Sequence, residues 1–125
     1  MMLKVLHVDD EPDIREVAAF ALEMDPEIRV RSAASGLEAL AVLDADPQVD
    51  VILLDVMMPT LDGPGTLERL RKLPAHVDTP VIFMTARAQS QELDRFLSLG
   101  AVAVIIKPFD PMTLGQQLRD HLASA

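Results

Sequence analysis

The stretch VILLD, residues 51–55, runs four branched apolar residues straight into an aspartate. It is too short for an ordinary helix, and no polar residue alternates with the apolar ones. A strand covered on both faces of a parallel sheet has this composition, because helices lie over both of its sides. VILLD therefore predicts an interior parallel strand, and such a strand implies neighbours of the same kind joined by crossover helices.

Working outward, four further runs meet that demand: KVLHV (4–8), IRVRSAA (28–34), PVIFMT (80–85) and AVAVIIK (101–107). The second alternates and reads as an edge or near-edge strand. Helical patterns fill the intervals. Ile14, Val17, Ala18, Ala21 and Leu22 form one apolar stripe. A second helix opens with Ser35 and Glu38, a capping box, and carries Leu37, Leu40 and Leu43. Pro64 opens a third helix carrying Leu67 and Leu70. The fourth starts at Ser90, buries Leu93, Phe96 and Leu97, and stops at Gly100. The fifth takes Asp110 as cap and Pro111 in its first turn, then Leu114, Leu118 and Leu122. Five strand–helix units in succession predict an α/β fold with a parallel sheet and right-handed crossovers, as one domain over residues 1–125.

Composition narrows the function. Half of the 125 residues are apolar, enough for a core, but no run approaches the ~20 residues of a membrane span. No signal peptide pattern opens the chain. The absence of cysteine excludes disulfides, thiolate catalysis and Cys-based zinc sites, and fits a reducing cytoplasm. A net charge of −9 argues against direct nucleic-acid binding and is compatible with binding cations.

In such sheets ligands sit beyond the carboxyl ends of the strands. Those ends supply Asp9 and Asp10, then Asp55, Thr85 and Lys107; the second strand ends in the unreactive Ala33 and Ala34. Crowding acids has an electrostatic cost, about 1 kcal/mol for a pair ~4 Å apart in water and roughly 4 kcal/mol at a protein surface. Carboxylates converging from two strands suit a hard divalent cation such as Mg2+. With Lys107 and the Thr85 hydroxyl nearby, the set suits stabilisation of a phosphoryl group, with Asp55 as nucleophile. DDEPD (9–13) lacks the Gly, Ser or Thr of a loop that cradles a flavin or dinucleotide phosphate. The same residues also have structural roles open to them. DEPD alone is a good helix start. His7 reads as a core or rim histidine, His76 and His121 as surface residues, and the methionines as core filler.

Taken together, Asp9-Asp10, LLDVMMPTLDG (53–63), MTA (84–86) and KPF (107–109) resemble the receiver domain of two-component response regulators, of the single-domain, chemotaxis-regulator kind. The resemblance covers nearly the whole chain. It implies a doubly wound, flavodoxin-like (βα)5 sheet in strand order 2-1-3-4-5. It makes Asp55 both the phosphoacceptor and a Mg2+ ligand, and Asp10 a direct Mg2+ ligand. Asp9 would act directly or through water, and the Met57 carbonyl would be a further ligand. Thr85 and Lys107 would hold phosphoryl oxygens, and Pro108 would be cis. The donor would be a sensor histidine kinase or histidine phosphotransfer protein; the output partner is unnamed. The chain would catalyse only its own phosphotransfer and dephosphorylation.

Departures from the pattern carry expectations too. The aromatic switch position is Val104, stiff and without a ring. Val102 and Ala103 replace an acidic pair used in salt-bridged dimers, so a monomer or weak dimer is expected. Met57 and Arg87, two residues after Asp55 and Thr85, sit where the family tunes lifetime, and predict slow autodephosphorylation. Two other readings stay open: a receiver-fold interaction module independent of phosphorylation, and an Mg2+-dependent phosphohydrolase. The latter is disfavoured, since such enzymes place a second Asp two residues beyond a nucleophile on the first strand and use a cap domain.

Overall fold

In the computed structural model, which describes residues 2–87 and 89–124, the five apolar runs form β1 (Leu3–Val8), β2 (Ile28–Ala33), β3 (Val51–Asp55), β4 (Val81–Thr85) and β5 (Ala103–Ile106). All pair in parallel, in the order β2-β1-β3-β4-β5. VILLD is the central strand and is buried along its whole length. The alternating β2 lies at the edge, as its pattern predicts. The helices are α1 (Pro12–Glu23), α2 (Gly36–Ala45), α3 (Gly63–Leu70), α4 (Ser90–Ser98) and α5 (Leu114–Ser124).

Successive strand residues point to opposite faces, so each strand feeds two cores. Leu6, Val8, Leu54 and Phe83 pack on one side against Leu43 of α2, Leu67 of α3 and Phe96 of α4. Val5, Leu53, Met84 and Ile105 pack on the other against Leu22 of α1 and Leu118 of α5. Arg119 of α5 bonds Asp25, just past α1, at 2.7 Å and ties that second layer together.

Local signals mostly act as read. Ser35 Oγ accepts the Glu38 N–H at 3.1 Å, and Glu38 Oε2 accepts the Ala34 N–H at 3.3 Å. Pro64 stands in the first turn of α3. Gly100, at φ 110°, occupies the left-handed conformation that ends α4.

Several expectations are corrected. Val17, Leu37 and Leu97 are exposed: a helix lying on a sheet buries a narrower strip than its full apolar stripe. Asp110 closes a turn, accepting the Met112 N–H at 2.9 Å, and α5 begins only at Leu114. Met58 and Met84 are core, whereas Met2, Met24, Met57 and Met112 are exposed. His76 is fully buried, not a surface residue. Its Nε2 lies 3.0 Å from the Leu43 carbonyl and 2.9 Å from the Asp46 carbonyl, and its Nδ1 2.8 Å from Thr79 Oγ1. Carbonyls at the end of α2 lack helical partners and need a donor. Nε2–H supplies it, leaving Nδ1 to accept from the Thr79 hydroxyl.

Gly63 is required by close approach of the backbone. A Cβ at Gly63 would lie 2.7 Å from the Asp55 carbonyl oxygen and 2.9 Å from Val56 Cα. Gly63→Ala must push the start of α3 away from the end of β3. We expect a loss of about 2 kcal/mol, the usual scale of overpacking, read as a lower urea midpoint; an unchanged midpoint would contradict this contact.

Candidate functional site

The strand ends bring the expected residues to one rim. Asp9 follows β1 and is fully buried, Asp55 closes β3 at 5% exposure, and Thr85 closes β4 at 3%. One oxygen from each of Asp9, Asp10 and Asp55 lies within 4.8 Å of the others. Lys107, just past β5, reaches Asp9 Oδ2 at 2.9 Å and Asp55 Oδ1 at 3.3 Å. Thus one ammonium bridges two of three clustered carboxylates. The Lys107–Pro108 bond is cis, as the KPF resemblance implies.

Local bonds orient the acids. Asp9 Oδ1 accepts the Glu11 N–H at 2.9 Å, which leaves Oδ2 for Lys107. Arg15 Nη1 donates to the Asp9 carbonyl at 2.8 Å, fixing the start of α1 against β1. That contact lay outside the motifs; the only sequence signal was a basic residue six positions beyond Asp9. The Glu11 side chain is exposed and takes no part in the acid cluster.

Burial and neighbouring charge set the electrostatics. Burial, reinforced by the charge of Asp9, raises the Asp55 carboxyl from 3.8 to about 6, with Lys107 opposing. Burial works against the Lys107 charge, but Asp9 and Asp55 outweigh it and hold the ammonium above its ordinary value. One layer below, burial lowers His7 from 6.5 to about 4, the Asp9 charge opposing. His7 is a core histidine, and neither ring nitrogen has a hydrogen-bond partner among the described residues.

The remaining expected residues stand around the cluster. A cavity of about 240 Å3 opens beside Asp55, lined by Glu11, Met57, Thr85, Arg87 and Lys107 among others. The Met57 side chain is exposed at its edge. Arg87 donates its backbone N–H to Thr85 Oγ1 at 3.1 Å. Val104 sits beside Phe83 in the sheet and packs, partly buried, on the core that holds Phe96. Ala103 is buried and Val102 partly so, and both pack within the core. Three oxygens of one charge at a strand-end rim are a hard-ligand donor set, and they fit a divalent cation.

Comparison with known proteins agrees with this geometry. The sequence pattern of the response regulator receiver domain matches residues 5–119. The probable transcriptional regulator ycf27 of Cyanophora paradoxa is 39% identical over 119 residues, covering 95% of this chain and 48% of that protein. The transcriptional regulatory protein YvrH of Bacillus subtilis (strain 168) is 36% identical over 118 residues, covering 94% and 48%. The chain spans about half the length of these curated relatives. The chemotaxis response regulator CheY4 of Vibrio cholerae superposes with a TM-score of 0.88 at 33% identity, over 97% of this chain and 99% of that one. The parallel sheet, its strand order and the sequence match across residues 5–119 place the chain in one family: it belongs to the response regulator receiver domains.

Proposed function

We propose that this chain is a phosphorylation-dependent signalling receiver. It accepts a phosphoryl group on Asp55 from a histidine kinase or histidine phosphotransfer protein, and it switches the binding of an output partner. The whole of residues 1–125 acts as the receiver unit. The observation that carries this reading is Lys107 bridging Asp9 and Asp55 at the rim of three clustered acids.

In the transfer, a carboxylate oxygen of Asp55 attacks the phosphorus of a phosphohistidine. The new oxygen–phosphorus bond replaces the phosphorus–nitrogen bond, and the imidazole leaves with the electron pair. Lys107 holds positive charge beside the equatorial oxygens, and the Thr85 hydroxyl donates to one of them. Asp9, Asp10, Asp55 and the Met57 carbonyl would hold Mg2+, which when bound offsets phosphoryl charge. Asp55 must be ionised to attack. With its carboxyl raised to about 6, metal-free Asp55 is mostly ionised at neutral pH and loses nucleophilicity below.

The test is intact-mass measurement after incubation with Mg2+ and a small acyl phosphate, beside Asp55→Asn. One phosphoryl adduct, lost in the variant, is expected. No adduct in the parent would favour a phosphorylation-independent interaction module, and turnover of many equivalents a hydrolase. The adduct should decay slowly, because Met57 and Arg87 flank the cavity by which water reaches Asp55. A half-life of seconds with Mg2+ present would contradict that.

A further inference from the structure

Arg87 lines two cavities at once. One is the site cavity that contains Asp55 and Lys107. The other, of about 590 Å3, lies between the loop after β3 and helix α4, and contains Thr85, Glu92, Arg95 and Phe96. In the present state the Arg87 guanidinium turns to the second cavity, where Nη1 lies 3.6 Å from Glu92 Oε1. Its side chain is 65% exposed and that of Glu92 27%. An exposed ion pair of this length is weak, and a stronger anion nearby displaces it easily.

Helix α4 is held lightly. Its N-cap, Gln89, offers no side-chain hydrogen bond, and Phe96 is its one buried residue. Few buried apolar contacts mark an element that opens at low free energy. The Arg87–Glu92 pair is the ion pair, among the described residues, that ties the first turn of α4 to the loop after β4. Arg87 is also joined to the site by its backbone, through the N–H donated to Thr85 Oγ1.

We propose that Arg87 is a phosphoryl-binding residue that exchanges partners: when Asp55 is phosphorylated, its guanidinium leaves Glu92 for the phosphoryl oxygens, and the first turn of α4 is released. The inference rests on the phosphoryl-transfer reading above. It supplies a route to α4 that needs no aromatic ring at Val104. A guanidinium presents paired donors that match phosphate geometry better than a single carboxylate contact at 3.6 Å, and a phosphoryl group carries the larger charge. Glu92, once unpaired, leaves a free carboxylate beside Arg95, which has no ion-pair partner among the described residues.

The test uses the full chain, Mg2+ and a small acyl phosphate, with the parent, Arg87→Gln, Glu92→Gln and the double variant. Intact mass reports the adduct, and amide hydrogen exchange reports residues 89–93. In the parent, phosphorylation should raise exchange over 89–93 several-fold. In both single variants exchange there should already be raised and should change little on phosphorylation. Glu92→Gln should prolong the adduct several-fold, and this effect should vanish in the Arg87→Gln background. An adduct with unchanged exchange over 89–93 in the parent would overturn the exchange of partners. So would a Glu92→Gln effect that persists without Arg87. Absence of any adduct in the parent would instead overturn the phosphoryl-transfer reading, and this inference with it.

Discussion

Asp55→Asn is expected to be more stable than the parent by about 3 kcal/mol at about pH 7.5 without metal, while losing all phosphoryl acceptance. The Asp55 carboxyl stands at about 6 in the folded protein against 3.8 in an unfolded chain. A carboxyl raised on folding contributes its stability in acid, and loses it as pH rises from 3.8 through about 6. Above that range folding must hold an ionised carboxylate in a buried place beside Asp9. Each pKa unit is worth 1.36 kcal/mol, so the cost is about 3 kcal/mol. Asn keeps the shape and an oxygen for Lys107 but carries no charge. Adding Mg2+ should narrow the gap, because a cation bound by the acids stabilises the parent by mass action. Urea denaturation of both proteins, with and without Mg2+, measures this. A variant no more stable than the parent would show that Lys107 already cancels the repulsion.

The second large effect concerns acid. His7 titrates at about 4 when folded and at 6.5 when unfolded. A base lowered on folding contributes stability that is present above 6.5 and lost as pH falls toward 4. The loss amounts to about 3 kcal/mol over that window. Asp55 regains a similar amount over nearly the same window, in the opposite direction. The parent should therefore show little contribution from this pair between pH 6.5 and 4. His7→Leu, which also removes two unpartnered buried ring nitrogens, should gain about 3 kcal/mol relative to the parent on acidification. Asp55→Asn should lose about as much. Parallel stability–pH curves for parent and His7→Leu would contradict the buried, neutral ring.

These two residues also show where the sequence was legible. Period and composition revealed the sheet, because VILLD and its neighbours had to be buried on both sides. The site followed from topology, since parallel strands deliver their last residues to one edge, and Asp9, Asp55 and Lys107 meet there. What periodicity does not encode is how wide a strip of each helix the sheet covers, so Val17 of an apolar stripe, Leu37 and the expected-buried Leu97 are all exposed. Nor does it encode bonds across the sequence: His76 reads as a surface residue, yet it serves carbonyls some 30 residues away. That His7 has no hydrogen-bond partner among the described residues has no local signature at all, because it reflects what the other strands place beside it.

The alternation of the strands divides the molecule's labour. Asp9, Asp55 and Lys107 continue the parity of the residues that face α1 and α5, whereas Thr85 continues that of Val81 and Phe83, facing α2, α3 and α4. The sheet is thus a wall between the side that carries the acid–lysine cluster and the side against which α4 packs. Thr85 is the rim residue on the side of α2, α3 and α4. Substitutions behind the wall should alter how much phosphoryl group is held, and those in front of it how faithfully its arrival is announced. Chemistry and message can therefore diverge separately on one scaffold.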